Sequence, residues 1–423
     1  MTEILLITIY CFFFALLLRK LAFFQQSGVS YYLLLLLFGA KVTAGILYGF
    51  IHKNYFSGGD TFLYFAESQQ LAATFSENPL YCLRALFGLP TAVPANDEYV
   101  YPSSVIFWKD LGTYFIIHIN AALIPFSAGF YAVHVVFMSF LGLVASVLLY
   151  KSLSLEIKLS PFLLVIGCFL LPSLLFWTAG IHKDVFLFLG LSLSLWALQN
   201  KRWVGLLAGL LLMGLTRHYT LLLMLPALLG FWAAQKQIKF LFIKSIFVSS
   251  AALLLVACLD YFCFNDLIIN ILANKQKAFI NENGNSDIYN LQSFSNFFEL
   301  ISQLPVAFTN VVARPFIWEC KHIFQLLASV EMGIFWGFSI LMICFGHRVQ
   351  LSPTAYFMLF FSLGYLFLIG FLVANEGTMV RYRAIPISFL IILVWQAIDF
   401  AALGKFCSFL LNKKRNGNFK TYP

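Results

Sequence analysis

The chain has 423 residues, 61% of them hydrophobic and 11% charged, with a mean hydropathy of +0.86. A soluble domain of this length needs far more charged surface, so a water-soluble globular fold is excluded. Apolar stretches of roughly 17–25 residues, the length a ~30 Å hydrocarbon core demands, recur along the whole chain. The net charge of +9 does not point to nucleic acid, because the basic residues sit in short turns between apolar runs.

Taken in chain order, the first apolar run lacks the basic lead and small-residue cleavage site of a removable signal, so it reads as a retained helix. Spanning helices are predicted near 4–18, 31–51, 127–150, 161–177, 185–199, 203–216, 219–234, 240–259, 322–345, 353–373 and 384–403, eleven in all. The fold class is therefore an all-α polytopic membrane protein. The interruptions WTAGIHKD and TRHY divide the 161–234 region.

Orientation follows from lysine and arginine in the connections. With the amino terminus outside, the cytoplasmic segments hold Arg19, Lys20, Lys151, Lys158, Lys201, Arg202, Lys236, Lys239, Lys244, Arg348 and five basic residues of the carboxy-terminal segment. Only Glu156 and Asp399 oppose them. The carboxy terminus is then cytoplasmic. Residues 1–411 read as a single transmembrane domain, and 412–423 as a basic tail near anionic lipid.

Two connections, 52–126 and 260–321, are long and fall outside. The first contains Leu111–Ile124, closed by Pro125 and too short to span, which is expected to lie along the interface or dip in partway. The second carries an amphipathic stretch around Asp266–Ile280 and a polar turn, Asn281–Asp287. Cys82, Cys263 and Cys320 fall in loops without metal-type spacing, so buried or free thiols are expected in preference to a Cys263–Cys320 disulfide.

Several polar groups break the pattern on the outer side. Asp60 follows Gly58-Gly59 and precedes Tyr64 at the start of an amphipathic helix. It suits an N-cap, or a surface carboxylate that takes a proton from a hydroxyl, its pKa raised by partial desolvation. In WTAGIHKD, Gly180 suits a helix stop and Asp184 a cap, whereas His182 and Lys183 have no such role. Lys183 either snorkels to headgroups or, with His182 and the helix N-terminus, meets a phosphate. Arg217 and His218 form another short outer link. Arg314, Trp318 and Glu319 lie in RPFIWE, and Arg381 and Arg383 in NEGTMVRYR. Each arginine alone reads as a headgroup anchor. If Arg217, Arg314, Arg381, Arg383 and Lys183 converge, they make a dianion or pyrophosphate site beside an aromatic-rich cleft. Within the membrane, Lys41 and Glu331 sit at comparable depths, and a structural pair across helices is expected, with a proton or ion relay as the rival.

GGDTFLYF resembles the acid–aromatic start of the first outer loop in GT-C-type membrane glycosyltransferases, and the order of parts is similar: loop acid, horizontal helix, many short helices, late arginines. PSLLFWTAGIHKD, RPFIWE and NEGTMVRYR resemble motifs of bacterial envelope proteins grouped with such enzymes and with O-antigen-type polymerases. The resemblance spans nearly the whole chain. It implies an inner-membrane enzyme that transfers sugar from a polyprenyl phosphate or pyrophosphate donor to an envelope glycan or lipid acceptor. Asp60 matches the catalytic acid, and aromatic residues in 61–65 and 99–108 would stack on sugar. No DxD or ExD pair surrounds Asp60, so neither metal nor other cofactor is expected. Repeat-unit polymerisation is one alternative, and a flippase for a lipid-linked anion is another; the latter calls for midplane polar residues and inverted repeats.

Overall fold

The computed structural model describes residues 1–56, 58–80, 110–236, 267–280, 289, 291–406 and 408. The expected span 240–259, the tail 412–423, the aromatic residues 99–108, the polar turn 281–287, Asp266, Cys82 and Cys263 lie outside them.

Among the described residues the secondary structure is helical, with one isolated bridge between Gly346 and Ile398 and no strand. Helices of eight residues or more are α1 (Thr2–Lys20), α2 (Tyr31–Asn54), α3 (Asp60–Glu77), α4 (Leu111–Ser127), α5 (Tyr131–Glu156), α6 (Lys183–Gln199), α7 (Trp203–Arg217), α8 (Thr220–Gln235), α9 (Leu267–Ile280), α10 (Leu304–Val312), α11 (Ile323–Phe345), α12 (Pro353–Leu372) and α13 (Glu376–Ala397). Six of them (α1, α2, α5, α11, α12 and α13) are long and apolar enough to cross a bilayer. At 15–17 residues, α6, α7 and α8 reach only ~22–26 Å at 1.5 Å per residue.

Local sequence sets where the helices begin. Ser30, Ser352 and Asn375 accept hydrogen bonds from Leu33, Ala355 and Thr378 N–H respectively. These side chains satisfy donors that a helix start leaves free. Pro353 supplies a first helical residue with no N–H to satisfy.

The stretch expected as one helix over 161–177 is broken. A turn at Pro161–Val165 runs into a π-helix, Ile166–Leu170; Leu171 is extended (ψ 127°), and a short helix restarts at Pro172–Trp177. Pro172 is the cause, since proline pushes the preceding residue out of the helical region. The break governs both intramembrane charges, which do not pair with each other as expected. Glu331 accepts from Ser173 N–H at 3.2 Å and from the Ser173 hydroxyl, at the start of the short helix. Lys41 donates to Thr178 Oγ1 at 2.8 Å, at its C-cap. The acid thus holds the positive end of the Pro172–Trp177 helix and the base its negative end. An interrupted helix inside a bilayer needs such partners, because no water is there to supply them.

Contacts between helix ends show alternating direction. At one end, Glu156 at the finish of α5 accepts from Thr354 N–H at 3.0 Å, and Gln199 at the finish of α6 bonds Ser152 O and Thr354 Oγ1. The finishes of α2 and α7 and the starts of α3, α4, α6 and α13 gather at the other. There α3 lies on α4, with Ser68 Oγ donating to Ile117 O at 3.0 Å. A buried Asn120–His134–Ser127 network ties α4 to α5. Helix α4 runs through Pro125 to Ser127, past the stop expected there. The amphipathic stretch expected near Ile280 is α9.

Candidate functional site

The site is built on the buried link 178–182 between the short helix and α6. Its carbonyls approach α2 and α5 where those helices carry glycine: a Cβ on Gly45 would fall 2.6 Å from Ala179 O, and one on Gly142 would fall 2.2 Å from Thr178 O. Ser139 Oγ donates to Ala179 O at 3.0 Å. This packing delivers His182 as the N-cap of α6, and Lys183 and Asp184 as its first residues. Helices α6 and α7 meet closely at Gly190 and Gly209, which brings Arg217 at the finish of α7 to Asp184.

From there a chain of ion pairs runs outward. Arg217 Nη2 donates to Asp184 Oδ1 at 2.7 Å, and Arg381 Nε of α13 donates to Asp184 Oδ2 at 2.5 Å. Arg381 Nη1 then donates to Asp60 Oδ2 at 3.1 Å. Alongside, Lys183 Nζ lies 3.1 Å from Asp110 Oδ1 and 5.6 Å from the centre of the Tyr64 ring. Arg217 is also held by the Tyr219 hydroxyl at 2.8 Å and lies 3.7 Å over the Tyr382 ring. The inner pair, Asp184 and Arg217, is 4% exposed on each side, whereas Asp60 and Asp110 are each 53% exposed. The chain therefore has a buried foundation and an open rim. Losing one partner of such a buried pair leaves an uncompensated charge, at a cost of ~3–5 kcal/mol.

Asp60 is not the helix cap that it resembles in sequence. Gly59, at φ 93°, occupies the cap position without a side-chain hydrogen bond, and Asp60 is the first helical residue. A backbone φ of that sign favours glycine. The carboxylate is thereby free to face Arg381. Burial pushes its pKa up, but Arg381 and then Lys183 outweigh burial and hold it below its usual value. The expectation of a raised pKa is corrected accordingly. For Asp110 too, burial pushes up, while Lys183 and the Thr113 hydrogen bonds bring the net shift down. The Tyr64 hydroxyl, next to both carboxylates, is shifted up by burial and then by Asp60.

His182 Nε2 and the Tyr48 hydroxyl hydrogen-bond one another, and His52 Nδ1 bonds Tyr48 O at 3.0 Å. On two buried side chains, His182 Nδ1 and Arg217 Nε have no partner among the described residues.

Three of the five basic residues expected to converge do so: Lys183, Arg217 and Arg381. Arg314 and Arg383 do not join them. Arg381 and Arg383 lie two residues apart on α13 and so face opposite ways. Arg383 Nη1 donates to Val311 O at 3.2 Å and to Arg314 O. Arg314 Nε lies 3.2 Å from Glu319 Oε1, and its guanidinium lies 5.3 Å from the centre of the Tyr289 ring. Trp318 stacks on Phe316, and His218 is exposed beside Tyr219. Cys320 donates its thiol hydrogen to Phe316 O.

Sequence reasoning missed Asp110 altogether and read Asp184 only as a cap. The signal was charge balance: Lys183, Arg217 and Arg381, drawn largely out of water at one helix end, call for anions beside them. Among the described residues no three carboxylate, imidazole or thiol groups converge as metal ligands would.

No protein-family model, curated protein or solved structure matches the chain.

Proposed function

We propose that this end of the helix bundle is the active site of an integral membrane glycosyltransferase, using a polyprenyl phosphate- or pyrophosphate-linked sugar on the face away from the cytoplasm. The observation that carries the reading is the open rim: a solvent-facing carboxylate, Asp60, held 3.1 Å from an arginine anchored behind by a buried acid. The distribution of lysine and arginine supports the outward orientation. An all-apolar cavity of about 180 Å³ between α10, α11, α12 and α13, lined by Val311, Val312, Phe335, Leu366 and Leu390 among others, supports a substrate with a hydrocarbon chain.

In this reaction the acceptor hydroxyl oxygen attacks the anomeric carbon and forms the new glycosidic bond. The bond from that carbon to the phosphate oxygen breaks, and the electron pair leaves with the phosphate. Arg381 and Lys183 neutralise the leaving phosphate, and Asp60 takes the hydroxyl proton. In the resting site Asp60 is a weak base, because Arg381 and Lys183 stabilise its ionised form. A phosphate that draws those cations to itself releases the carboxylate and raises its pKa, so donor binding and base strength are coupled. One displacement inverts the anomeric carbon. Polymerisation of repeat units uses the same steps with a longer acceptor.

A flippase for the same lipid would use charges at mid-membrane, but Lys41 and Glu331 are committed to the two ends of the Pro172–Trp177 helix. The test is a strain lacking the protein. It should accumulate the polyprenyl-linked sugar in the outer leaflet, cleared by the wild-type gene and not by Arg381→Gln. Accumulation in the cytoplasmic leaflet would favour the flippase, and no accumulation in either leaflet contradicts both.

A further inference from the structure

The second polar cluster, around Arg314, has no part in the proposed transfer chemistry. It lies at the same end of the bundle as the ion-pair chain, since Tyr55 at the finish of α2 packs on Phe324 in the first turn of α11. Its charges are internally balanced: Arg314 Nε faces Glu319 Oε1, while Glu319 Oε2 accepts from Phe316 N–H at 3.0 Å. Both members of the pair remain about one-third exposed.

Two further polar groups here are unsatisfied among the described residues. The Tyr289 hydroxyl, on a residue 8% exposed, sits among Glu376, Arg383, Glu319 and Arg314 without a hydrogen bond. The Asn310 amide nitrogen, on a residue 2% exposed, is also unpartnered, although its Oδ1 accepts from Arg314 Nη1 at 3.4 Å. Buried polar atoms are nearly always paired, and an orphan costs ~1–3 kcal/mol. Two orphans beside one open ion pair indicate a ligand of matching polarity. Immediately next to them, the Phe316 and Trp318 rings stack at 4.8 Å with an interplanar angle of 12°, and Trp318 is 78% exposed.

We propose that Tyr289, Asn310, Arg314 and Glu319, with the Phe316–Trp318 platform, form a saccharide-binding site. A neutralised arginine has little to offer a free phosphate. A sugar ring presents hydroxyls that both donate and accept, which fits an amide donor, a phenol that can do either, a guanidinium edge and a carboxylate. It also presents an apolar C–H face, which fits an exposed indole. Arg383 pins the carbonyls of Val311 and Arg314 and so holds the corner in shape. Taking the bound saccharide as the acceptor rests on the glycosyltransferase reading; the saccharide site itself does not.

The test is an array of immobilised bacterial envelope oligosaccharides, probed with the full-length protein in a sugar-free detergent. Wild type should be retained on a subset of the array. Trp318→Ala and Glu319→Gln should each lower retention at least tenfold. Tyr289→Phe, which removes only an oxygen that no described residue bonds, should weaken it severalfold with the thermal midpoint unchanged. Asp60→Asn should bind as wild type does, so failure of the transfer reading leaves this result standing. No retention of wild type, or equal retention of wild type and all three site variants, overturns the site and leaves Trp318 an interfacial anchor.

Discussion

Asp60 and Arg381 show how one contact changes the chemistry of a carboxylate. Burial alone would raise the pKa of Asp60, and Arg381 and Lys183 reverse that. The folded-state pKa therefore lies below the unfolded value of ~3.9. Stability from this contact is present above that value and is lost as pH falls through the folded pKa. Removing Arg381 leaves burial as the larger influence, so in Arg381→Gln the Asp60 carboxyl should protonate at higher pH than in wild type. The protonated-carboxyl infrared band that disappears in Asp60→Asn reports this titration, and an unmoved band would contradict it. At this scale the sequence was informative about residue type and less so about partners. Gly58-Gly59-Asp60 advertised an unusual helix start, and the outer arginines advertised anions. Asp184 stayed hidden because an acid in the first turn of a helix has an ordinary dipole explanation. Arg383 went to a second cluster, where it bonds Arg314 O, because residues two apart on a helix differ by about 200° in direction, at 3.6 residues per turn.

The helices that carry the site are fixed where backbone approaches backbone. A Cβ on Gly209 would lie 2.3 Å from Ser194 Oγ and 2.6 Å from Gly190 O, whereas one on Gly333 of α11 would meet nothing within 4 Å. Alanine raises helix propensity by ~1 kcal/mol at either position. At Gly209 the clash should exceed that gain. Gly209→Ala is therefore expected to lower the thermal midpoint of the purified protein, while Gly333→Ala leaves it unchanged or raises it; equal responses would show that the α6–α7 contact does not set the position of Arg217. Helix existence was legible from apolar run length, because a bilayer imposes that length. The break at Leu171 was less so. Pro172 was visible, but a proline in a membrane helix can be absorbed by a kink, and only the positions of Ser173 and Glu331 show a full interruption. Lys41 and Glu331 were recognised as costly and assigned to each other, since sequence gives depth and not azimuth. They serve the same short helix from opposite ends.

For the molecule as a whole, alternating helices bring distant segments of chain to one end. Asp60 and Arg381 are 321 residues apart in sequence and in contact in space. That end combines a buried acid–arginine foundation, an open rim with Asp60, Asp110 and Lys183, and a second, charge-balanced cluster beside an exposed aromatic stack. That it faces away from the cytoplasm is part of the proposal, supported by the basic residues of the opposite connections. The central claim is that this end cleaves a sugar–phosphate bond with Asp60 as the proton acceptor. It is tested most directly with purified protein in liposomes, supplied with a radiolabelled polyprenyl-phosphate sugar and an envelope-glycan acceptor. Wild type should move label into the glycan, and Asp60→Asn should lose at least ~100-fold in rate, the loss expected for a general base, while remaining folded, its thermal midpoint lowered by no more than the lost contact with Arg381 accounts for. Transfer by Asp60→Asn at the wild-type rate would contradict the account.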